Sequence, residues 1–416
     1  MKKKLRIGVV GVGRGASMMN YCRASDNAVL VAICDKWVEG IEARKKEYAG
    51  EDIGFYTDYD EFLTHDMDAV VLANYANEHA PFAIKAMKRG FDVISEVLPC
   101  QTMKEAVELV ETVEETGRIY CYAENYCYMP APREMKKLYR EGVIGEVTYC
   151  EGEYVHNCEP GWIDLTYGDR NHWRNSMYCT FYCTHSIGPL VHITGLRPVK
   201  VTGFEVPFNE QCMRMGHRGG LCGIEMLTFS NGAVAKSIHG GLYRNNISYI
   251  VYGTKGRMES ARETAWEGDV SKLYLEYDAI SGDYSDTQRK VYNPSDSKTE
   301  VSKPFGHGGS DYYTVWNAVE YILGNKEADV IDVYEALDMF LPGMFAYRSI
   351  LAGGISMDIP NLRRKEERDR WRNDTTCTVP EVAGDMLIPS NSTNAEVPDE
   401  VYAAQKRIWL ERHTER

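Results

Sequence analysis

The residues best suited to chemistry begin with a glycine-rich segment near the start of the chain. A β-branched run over residues 7–10 leads directly into Gly11-Val-Gly-Arg-Gly-Ala16. This pattern predicts a strand, a tight turn and the start of a helix. Gly11 permits the turn, Gly13 lets a pyrophosphate approach bare backbone, and Ala16 is small enough for the helix and strand to pack closely. The free N–H groups at the start of the helix then face the anion.

A carboxylate follows at a second informative position. A β-rich run over residues 28–34 ends at Asp35, twenty-two residues beyond Gly13. In a dinucleotide-binding fold, this position holds the carboxylate that bonds the adenosine ribose hydroxyls. We therefore predict a bound dinucleotide contacted by the loop and this carboxylate: Gly11, Gly13, Arg14, Gly15 and Asp35. Asp35 favours NAD because a carboxylate repels a ribose phosphate, and the adjacent Lys36 leaves NADP open.

The elements that position these residues alternate along residues 4–128. Apolar runs at 68–73, 91–96 and 119–123 are separated by helical patterns at 80–89 and 102–116. This alternation predicts right-handed crossovers and a parallel, doubly wound Rossmann sheet. Its ligand binds at the carboxyl ends of the strands. The polar residues just beyond those ends are therefore candidates for the cofactor cleft: Asn74, Tyr75, Glu96 and Asn125.

The pattern changes after residue 128. Long runs of alternating polarity between residues 146 and 277, separated by turn signals, predict one large, mostly antiparallel open sheet. Residues 278–304 read as a polar loop or hairpin. The expected fold class is α/β, with a dinucleotide-binding domain over 1–128 and a substrate-binding and oligomerisation domain over 129–373. The sequence does not place the tail, residues 374–416.

Composition restricts the partners. The net charge is −14, without basic stripes, which argues against nucleic acid or an anionic membrane surface as a partner. No stretch is long enough to span a membrane, and the apolar run after residue 4 is short and glycine-rich, so we expect a cytoplasmic protein. The twelve cysteines lack a C-x-x-C pair and are expected to be free thiols, with no metal site. An antiparallel sheet with a face to bury favours a homo-oligomer, a dimer or tetramer.

Several motifs occur in the order found in a known family. They are Glu124-Asn-Tyr-Cys-Tyr128, Tyr154-Val-His156, Trp173-Arg174, Tyr182-Cys-Thr-His185, His307-Gly-Gly309 and Asp332-Val-Tyr334. With the glycine loop, they make residues 4–373 resemble the Gfo/Idh/MocA oxidoreductases, and most closely glycoside hydrolase family 109. The resemblance implies NAD as the cofactor and a C-terminal α/β sheet domain.

Two departures from the dehydrogenase members of that family are informative. Those enzymes typically carry Glu-Lys-Pro where this chain has Glu96-Val-Leu-Pro99, and the lysine helps deprotonate the hydroxyl being oxidised. They also tend to carry an aspartate where this chain has Phe181. Both differences suit the glycosidase-like branch. The alternative is an NAD(P)-dependent dehydrogenase of a sugar, glycoside or inositol that releases NADH.

The resemblance implies cleavage of a small glycoside by transient oxidation. An ordinary glycosidase needs two carboxylates flanking the glycosidic bond, and the sequence nominates no such pair. In the redox route, C3 is oxidised, C2 loses a proton, the C1 substituent is eliminated, water adds, and C3 is reduced again. Tyr182 and His185 are three residues apart, so a helical turn would place them on one face. We expect His185 to exchange a proton with the C3 hydroxyl and Tyr182 to act at C2.

Further residues complete the predicted site. His307 is expected to reach the substrate from a flexible glycine-rich loop. Tyr154 and His156, together with Tyr182, Trp173 and Arg174, are expected to line the sugar pocket, and the Trp173-Arg174 pair is also predicted to contact the cofactor. Isolated histidines are expected to be structural: His65, His192 and His239.

Overall fold

The computed structural model describes residues 3–262 and 271–414. Its strands, in chain order, are β1 (Leu5–Val10), β2 (Ala28–Cys34), β3 (Gly54–Tyr56), β4 (Ala69–Leu72), β5 (Asp92–Ser95), β6 (Tyr120–Tyr122), β7 (Val147–Val155), β8 (Pro198–Val206), β9 (Cys222–Phe229), β10 (Val234–Gly240), β11 (Asn246–Gly253), β12 (Gly256–Ser260), β13 (Leu273–Tyr277), β14 (Gln288–Tyr292) and β15 (Met357–Asp358).

The α-helices, in chain order, are α1 (Ala16–Ala24), α2 (Val38–Glu47), α3 (Tyr59–Phe62), α4 (His79–Lys88), α5 (Met103–Thr116), α6 (Pro130–Arg140), α7 (Trp162–Thr166), α8 (Thr184–Thr194), α9 (Glu210–Met215), α10 (Thr299–Ser302), α11 (Ser310–Ile322), α12 (Val333–Leu351), α13 (Lys365–Trp371), α14 (Pro380–Ala383) and α15 (Asp399–Thr414).

The first compact unit comprises the chain up to Met129 together with Ser295–Leu337 and Leu362–Asp374. Its described strands form a six-stranded sheet in the order β3-β2-β1-β4-β5-β6, with every pair parallel. The strands β1 and β4 at its centre are almost wholly buried, as expected of a sheet covered on both faces. This topology confirms the predicted doubly wound Rossmann sheet.

The second unit comprises Pro130–Pro294, Asp338–Asn361 and the chain from Thr375 onward. Its described strands form a nine-stranded sheet in the order β14-β13-β12-β11-β7-β10-β9-β8-β15. Only the β7 and β10 strands within it pair in parallel, whereas the other neighbours are antiparallel. The predicted open, mostly antiparallel sheet is therefore confirmed.

Helix α8 covers one face of the second sheet, and contacts with the sheet fix the position of the first turn of this helix. Gly152 in β7 lies so close to α8 that a Cβ atom there would stand 2.0 Å from the carbonyl oxygen of Ser186. The buried hydroxyl of Tyr249 in β11 donates to the carbonyl oxygen of His185 at 2.6 Å. These contacts with β7 and β11 fix the backbone at the end of the Tyr182-Cys-Thr-His185 motif.

The opposite side chains of the second sheet remain exposed. Strand alternation places apolar residues there, and six of them are more than a third exposed: Phe204, Met226, Val234, Tyr252, Tyr274 and Val291. Exposed apolar side chains of this kind are the surface that the predicted self-association would cover. The homo-oligomer expected from the sequence stays a prediction, which sedimentation equilibrium would test.

The structure differs from the sequence predictions in two respects. Residues 295–337 and 362–374 belong to the first unit, although the sequence predicts a single second domain over 129–373. The predicted loop or hairpin after residue 277 is a hairpin, because β14 pairs with β13.

The C-terminal tail, which the sequence left unplaced, packs within the second unit. There the Tyr402 hydroxyl donates to the carbonyl oxygen of Gly216 at 2.9 Å.

All twelve cysteines are free, and eleven of them are buried. Over residues 3–262 and 271–414, no three His, Cys, Asp or Glu side chains are grouped as they would be around a metal ion. No helix in the same ranges has the length and hydropathy needed to cross a membrane.

Candidate active site

The glycine loop of the first unit has the geometry of an anion-binding turn. Gly11 adopts φ +100°, and a Cβ atom there would lie 2.3 Å from the carbonyl oxygen of Ala73. Gly13 differs, because a Cβ atom there would meet nothing within 4 Å. The backbone at Gly13 is therefore open to a ligand, and α1 begins three residues later at Ala16. An exposed glycine backbone before a helix N-terminus is what a pyrophosphate requires.

Asp35 is tied to this loop by its own carboxylate. Its Oδ2 atom accepts from the Val12 N–H at 2.8 Å, and its Oδ1 atom accepts from the Trp37 N–H at 2.9 Å. Strand β2 thus delivers a carboxylate directly beside the loop, at the position that the sequence predicts for ribose binding. The neighbouring Lys36 forms an ion pair with Glu78 at 2.9 Å.

Asn74 presents an unsatisfied acceptor at the end of β4. Its Nδ2 atom donates to Glu78 at 3.2 Å, whereas its Oδ1 atom is buried without a hydrogen-bond partner among the described residues. Buried polar atoms in native proteins are normally satisfied, so an orphan at the carboxyl end of a Rossmann strand indicates a bound group. The glycine loop, Asp35 and Asn74 together fit a dinucleotide.

The open space at Gly13 gives a direct test of dinucleotide binding. We expect Gly13→Ala to change the free energy of unfolding by less than about 1 kcal/mol, because the added methyl group meets no protein atom. The same methyl group would stand between the backbone and a pyrophosphate, so we expect the dissociation constant for NAD to rise at least about tenfold. Titration calorimetry and urea unfolding measure the two effects.

Gly11→Ala is the matched control for that test. Its methyl group would collide with Ala73 at a strained φ, so we expect a loss of about 2 kcal/mol of folding stability. An unchanged NAD affinity in Gly13→Ala would contradict the assignment of this loop.

A charged cluster lies beside the loop in the same unit. The Arg14 guanidinium donates from Nε to Glu96 at 2.7 Å and from both terminal nitrogens to Asp311 at 2.8 and 3.0 Å. Asp311 also accepts from Asn125 Nδ2 at 2.9 Å and lies 3.1 Å from Nδ1 of His307. The structure therefore brings four sequence-predicted residues together around Asp311, which the sequence analysis did not single out.

The cluster shifts the ionisation of its members. Burial alone would raise the pKa of Asp311, but hydrogen bonds from His307 and Arg14 and their charges hold it well below its ordinary value. Burial raises the pKa of Glu96, an effect that Arg14 partly opposes. Asp311 is thus the firmly ionised carboxylate of the cluster.

The cluster also sets the role of His307. Because its Nδ1 atom faces the carboxylate of Asp311, that nitrogen carries the proton and Nε2 is left for another partner. His307 was expected on a flexible loop, whereas it begins a 3₁₀ turn immediately before α11 and is held by a residue of that helix.

The predicted sugar-pocket residues gather in the second unit. The Tyr154 ring lies 4.6 Å from the His185 ring, and the Tyr182 ring lies 5.1 Å from it, measured between ring centroids. Tyr182 precedes α8 and His185 occupies its first turn, so the expected juxtaposition occurs at the helix start. Tyr154 also shares a hydrogen bond of 2.9 Å with Nδ1 of His156.

A cavity of ≈ 220 Å³ lies within the second unit beside these rings, and His185 is not part of its lining. Tyr154, His156, Arg174 and Tyr182 line it. The Arg174 guanidinium carbon lies 4.5 Å from the ring centroid of Trp173 and 5.6 Å from that of Tyr182. The predicted contact of Trp173 and Arg174 with the cofactor stays a prediction.

Three further residues of this unit were missed or set aside as structural. Cys158 and His239 line the cavity, and Oε1 of Glu225 lies 3.3 Å from Nδ1 of His239. The Ser230-Asn-Gly232 turn could have revealed Glu225. A hairpin centred on residue 231 pairs Ser237 with Glu225 and His239 with Gly223, so Glu225 and His239 become neighbours. For Asp311, the i, i+4 spacing from His307 was the available signal.

Comparison with known proteins identifies relatives of both units. Residues 5–124 match the Gfo/Idh/MocA oxidoreductase family, NAD-binding Rossmann fold, and residues 136–349 match the C-terminal alpha/beta domain of the same family. A glycosyl hydrolase family 109 protein of Saccharopolyspora erythraea is 26% identical over 405 residues, covering 88% of this chain and 84% of the relative. Glycosyl hydrolase family 109 protein 2 of Shewanella sp. strain ANA-3 is 26% identical over 399 residues, covering 87% of this chain and 86% of the relative.

Solved structures share the fold. A myo-inositol 2-dehydrogenase from Lactobacillus plantarum matches with a TM-score of 0.64 at 20% identity, covering 86% of this chain and 100% of the other. The WlbA dehydrogenase from Bordetella pertussis, in complex with NADH and UDP-GlcNAcA, matches with a TM-score of 0.68 at 20% identity, covering 86% and 99%. The resemblance and the fold class predicted from the sequence are thereby confirmed.

Proposed function

Because the chain belongs to the Gfo/Idh/MocA oxidoreductase family, with its NAD-binding Rossmann domain, we propose that it is an NAD-dependent glycosidase that cleaves a small glycoside through transient oxidation at C3. The observation that carries this proposal is the pairing of Tyr182 with His185 beside a cavity, combined with apolar residues at the dehydrogenase positions. Val97, which follows Glu96, is buried, and the ring of Phe181 packs edge-on against that of Phe340 with 5.5 Å between the ring centroids.

The residues that would hold NAD are those of the first unit. The Gly13 backbone would contact the pyrophosphate, Asp35 the adenosine ribose, and the orphaned Asn74 oxygen another donor of the dinucleotide. Bound NAD would accept a hydride from C3 of the sugar and later return it. A carboxylate at Asp35 favours NAD over NADP.

The second unit would supply the acid and base groups. His185 holds or releases the proton of the C3 hydroxyl, since an imidazole nitrogen can both accept and donate a proton. Tyr182 removes the proton at C2 once C3 has become a ketone. Tyr182 acts there as the phenolate and becomes the neutral phenol, and the Arg174 guanidinium carbon, 5.6 Å from its ring centroid, favours the phenolate before the transfer. Tyr154 and His156 would bind the sugar from the cavity wall.

A net dehydrogenase is the competing function, favoured by the fold shared with inositol and sugar dehydrogenases. One experiment separates the two. Purified protein is incubated in deuterated water with 4-nitrophenyl glycosides of glucose, galactose, N-acetylglucosamine and N-acetylgalactosamine in both anomeric forms. We expect nitrophenol release, deuterium at C2 of the product sugar and no net NADH. A keto sugar with stoichiometric NADH and no nitrophenol would establish the dehydrogenase instead.

A further inference from the structure

A buried histidine–glutamate pair lies at the wall of the sugar cavity. Nδ1 of His239 stands 3.3 Å from Oε1 of Glu225, and the two side chains are 2% and 0% exposed. Neither oxygen of Glu225 accepts a hydrogen bond from the described residues, and Nε2 of His239 has no such partner either. Two buried ionisable groups are therefore held at ion-pair distance, and both carboxylate oxygens and the Nε2 atom still lack a hydrogen bond among the described residues.

The sheet explains how the pair forms. Glu225 lies in β9 opposite Ser237, and His239 lies in β10 opposite Gly223. The space over Gly223 is filled by the segment before α8, because a Cβ atom there would lie 2.7 Å from Cγ2 of Thr180 and 2.8 Å from the carbonyl oxygen of Cys179. On the other side of His239, the parallel register pairs it with Tyr154 of β7. The carboxylate thus stands behind the imidazole, and a sugar-pocket tyrosine lies in the adjacent strand.

The surroundings favour a proton on the pair. A fully buried carboxylate is costly unless a positive charge or a proton neutralises it. Two neutral groups lie near His239: the Ser186 hydroxyl 3.5 Å from Nδ1, and the Cys222 thiol, which contacts the His239 backbone. A second carboxylate, Glu205 of β8, pairs in register with the same Gly223 as His239 does. A proton on His239 or on Glu225 satisfies this need. Either arrangement leaves the pair holding one proton that it can give away.

The other imidazoles of the cavity have different partners. His156 shares its Nδ1 hydrogen bond with the Tyr154 hydroxyl, and His217 donates from Nδ1 to the carbonyl oxygen of Arg174 at 3.2 Å. Burial lowers the pKa of His217 to about 4, which keeps that ring neutral. A hydroxyl or carbonyl does not stabilise an imidazolium as a carboxylate does. His239, in contrast, lies at ion-pair distance from a carboxylate, that of Glu225.

From this geometry we propose that His239 is the acid that protonates the departing glycosidic oxygen, and that Glu225 is its positioning residue. This inference rests on the proposed function and names the group that the elimination step still lacks. When the C1–O bond breaks, its electron pair passes to the departing oxygen, which takes a proton from Nε2 of His239. Tyr182 takes the proton at C2 in the same step. Neutral His239 then accepts a proton from the water that adds at C1, and its first state is restored.

The test compares leaving groups on one sugar. Good leaving groups depart without help from an acid, whereas alkoxides do not. We expect His239→Gln to lower kcat/KM about 100- to 1,000-fold for the methyl glycoside and less than about tenfold for the 4-nitrophenyl glycoside. Glu225→Gln keeps the imidazole and removes the charge behind it, so we expect the same bias with a smaller loss. Ser237 is buried, pairs with Glu225 and lies two residues before His239 in β10. Ser237→Ala is the control and is expected to show no leaving-group bias.

The outcomes separate this inference from the proposed function. Thermal unfolding of each variant shows whether it folds. If His239→Gln does not fold, the leaving-group bias of Glu225→Gln tests the inference instead. Equal losses for both glycosides would overturn the role of His239 while the glycosidase stands. If the unaltered protein cleaves neither glycoside and only accumulates NADH, the proposed function and this inference both fail. A loss of kcat/KM confined to the methyl glycoside, which has the poor leaving group, supports His239 as the acid.

Discussion

Replacing Tyr182 by phenylalanine is expected to lower glycoside cleavage by about 100- to 10,000-fold, the usual contribution of one positioned acid or base. The phenol is the group that we place at C2, and its ring lies 5.1 Å from His185 and 5.6 Å from the Arg174 guanidinium carbon. Because only the hydroxyl is removed, ring packing around the cavity is retained. Oxidation at C3 should therefore persist in this variant. Exchange of deuterium into C2 should disappear.

His185→Gln is the companion variant that assigns the two steps. If His185 serves the C3 hydroxyl, this variant should fail to oxidise the sugar at all, so neither NADH absorbance nor C2 exchange should appear. Tyr139→Phe removes a hydroxyl in α6 of the same unit, outside the cavity, and is expected to alter cleavage less than about threefold. C2 exchange that survives in Tyr182→Phe would show that another base acts at C2, and the assignment would be wrong.

The fold followed from the sequence because its patterns are local. A strand of period 2 and a helix of period 3.6 are each specified within about ten residues, so β2, β13 and α12 begin and end where their patterns do. Long-range assignment failed where no local pattern exists. Nothing within residues 295–337 marks them as belonging to the first unit, because that placement depends on contacts such as the one between Arg14 and Asp311.

The sequence names candidate site residues where a motif contains them, and their roles stay predictions. The glycine loop, Asp35 and the Tyr182–His185 pair each occupy a fixed spacing that chemistry requires. Asp311 and Glu225 are not part of such a motif. Asp311 is related to His307 only by an i, i+4 spacing, and Glu225 is related to His239 only by the register of a hairpin. Their importance arises from burial, which turns a carboxylate from a solvated charge into one that must be paired. Burial of that kind is a property of the folded chain.

Asp311→Asn is expected to cost about 3 kcal/mol of the free energy of unfolding at pH 7. Asp311 is 3% exposed, and it accepts from Arg14, Asn125 and His307. Removing one partner of a buried pair typically costs about 3–5 kcal/mol. The lower figure applies because the Arg14 side chain is 33% exposed and keeps Glu96. The new amide group would also point a donor at groups that already donate.

The pH dependence of this loss distinguishes a charge effect from a packing effect. The pKa of Asp311 lies below its ordinary value, so the stability it contributes is present above the unfolded pKa of about 3.9 and is lost as the pH falls. Urea unfolding should therefore show a gap between the unaltered protein and Asp311→Asn that is constant from pH 7 to about pH 5 and narrows as the pH falls further to about pH 3. Asp60→Asn, which removes an exposed ion pair with Lys85, should cost less than about 1 kcal/mol. A gap for Asp311→Asn that stayed constant with pH would mean that the carboxylate acts through its shape, and the charged cluster around Arg14 would then contribute nothing to holding the glycine loop.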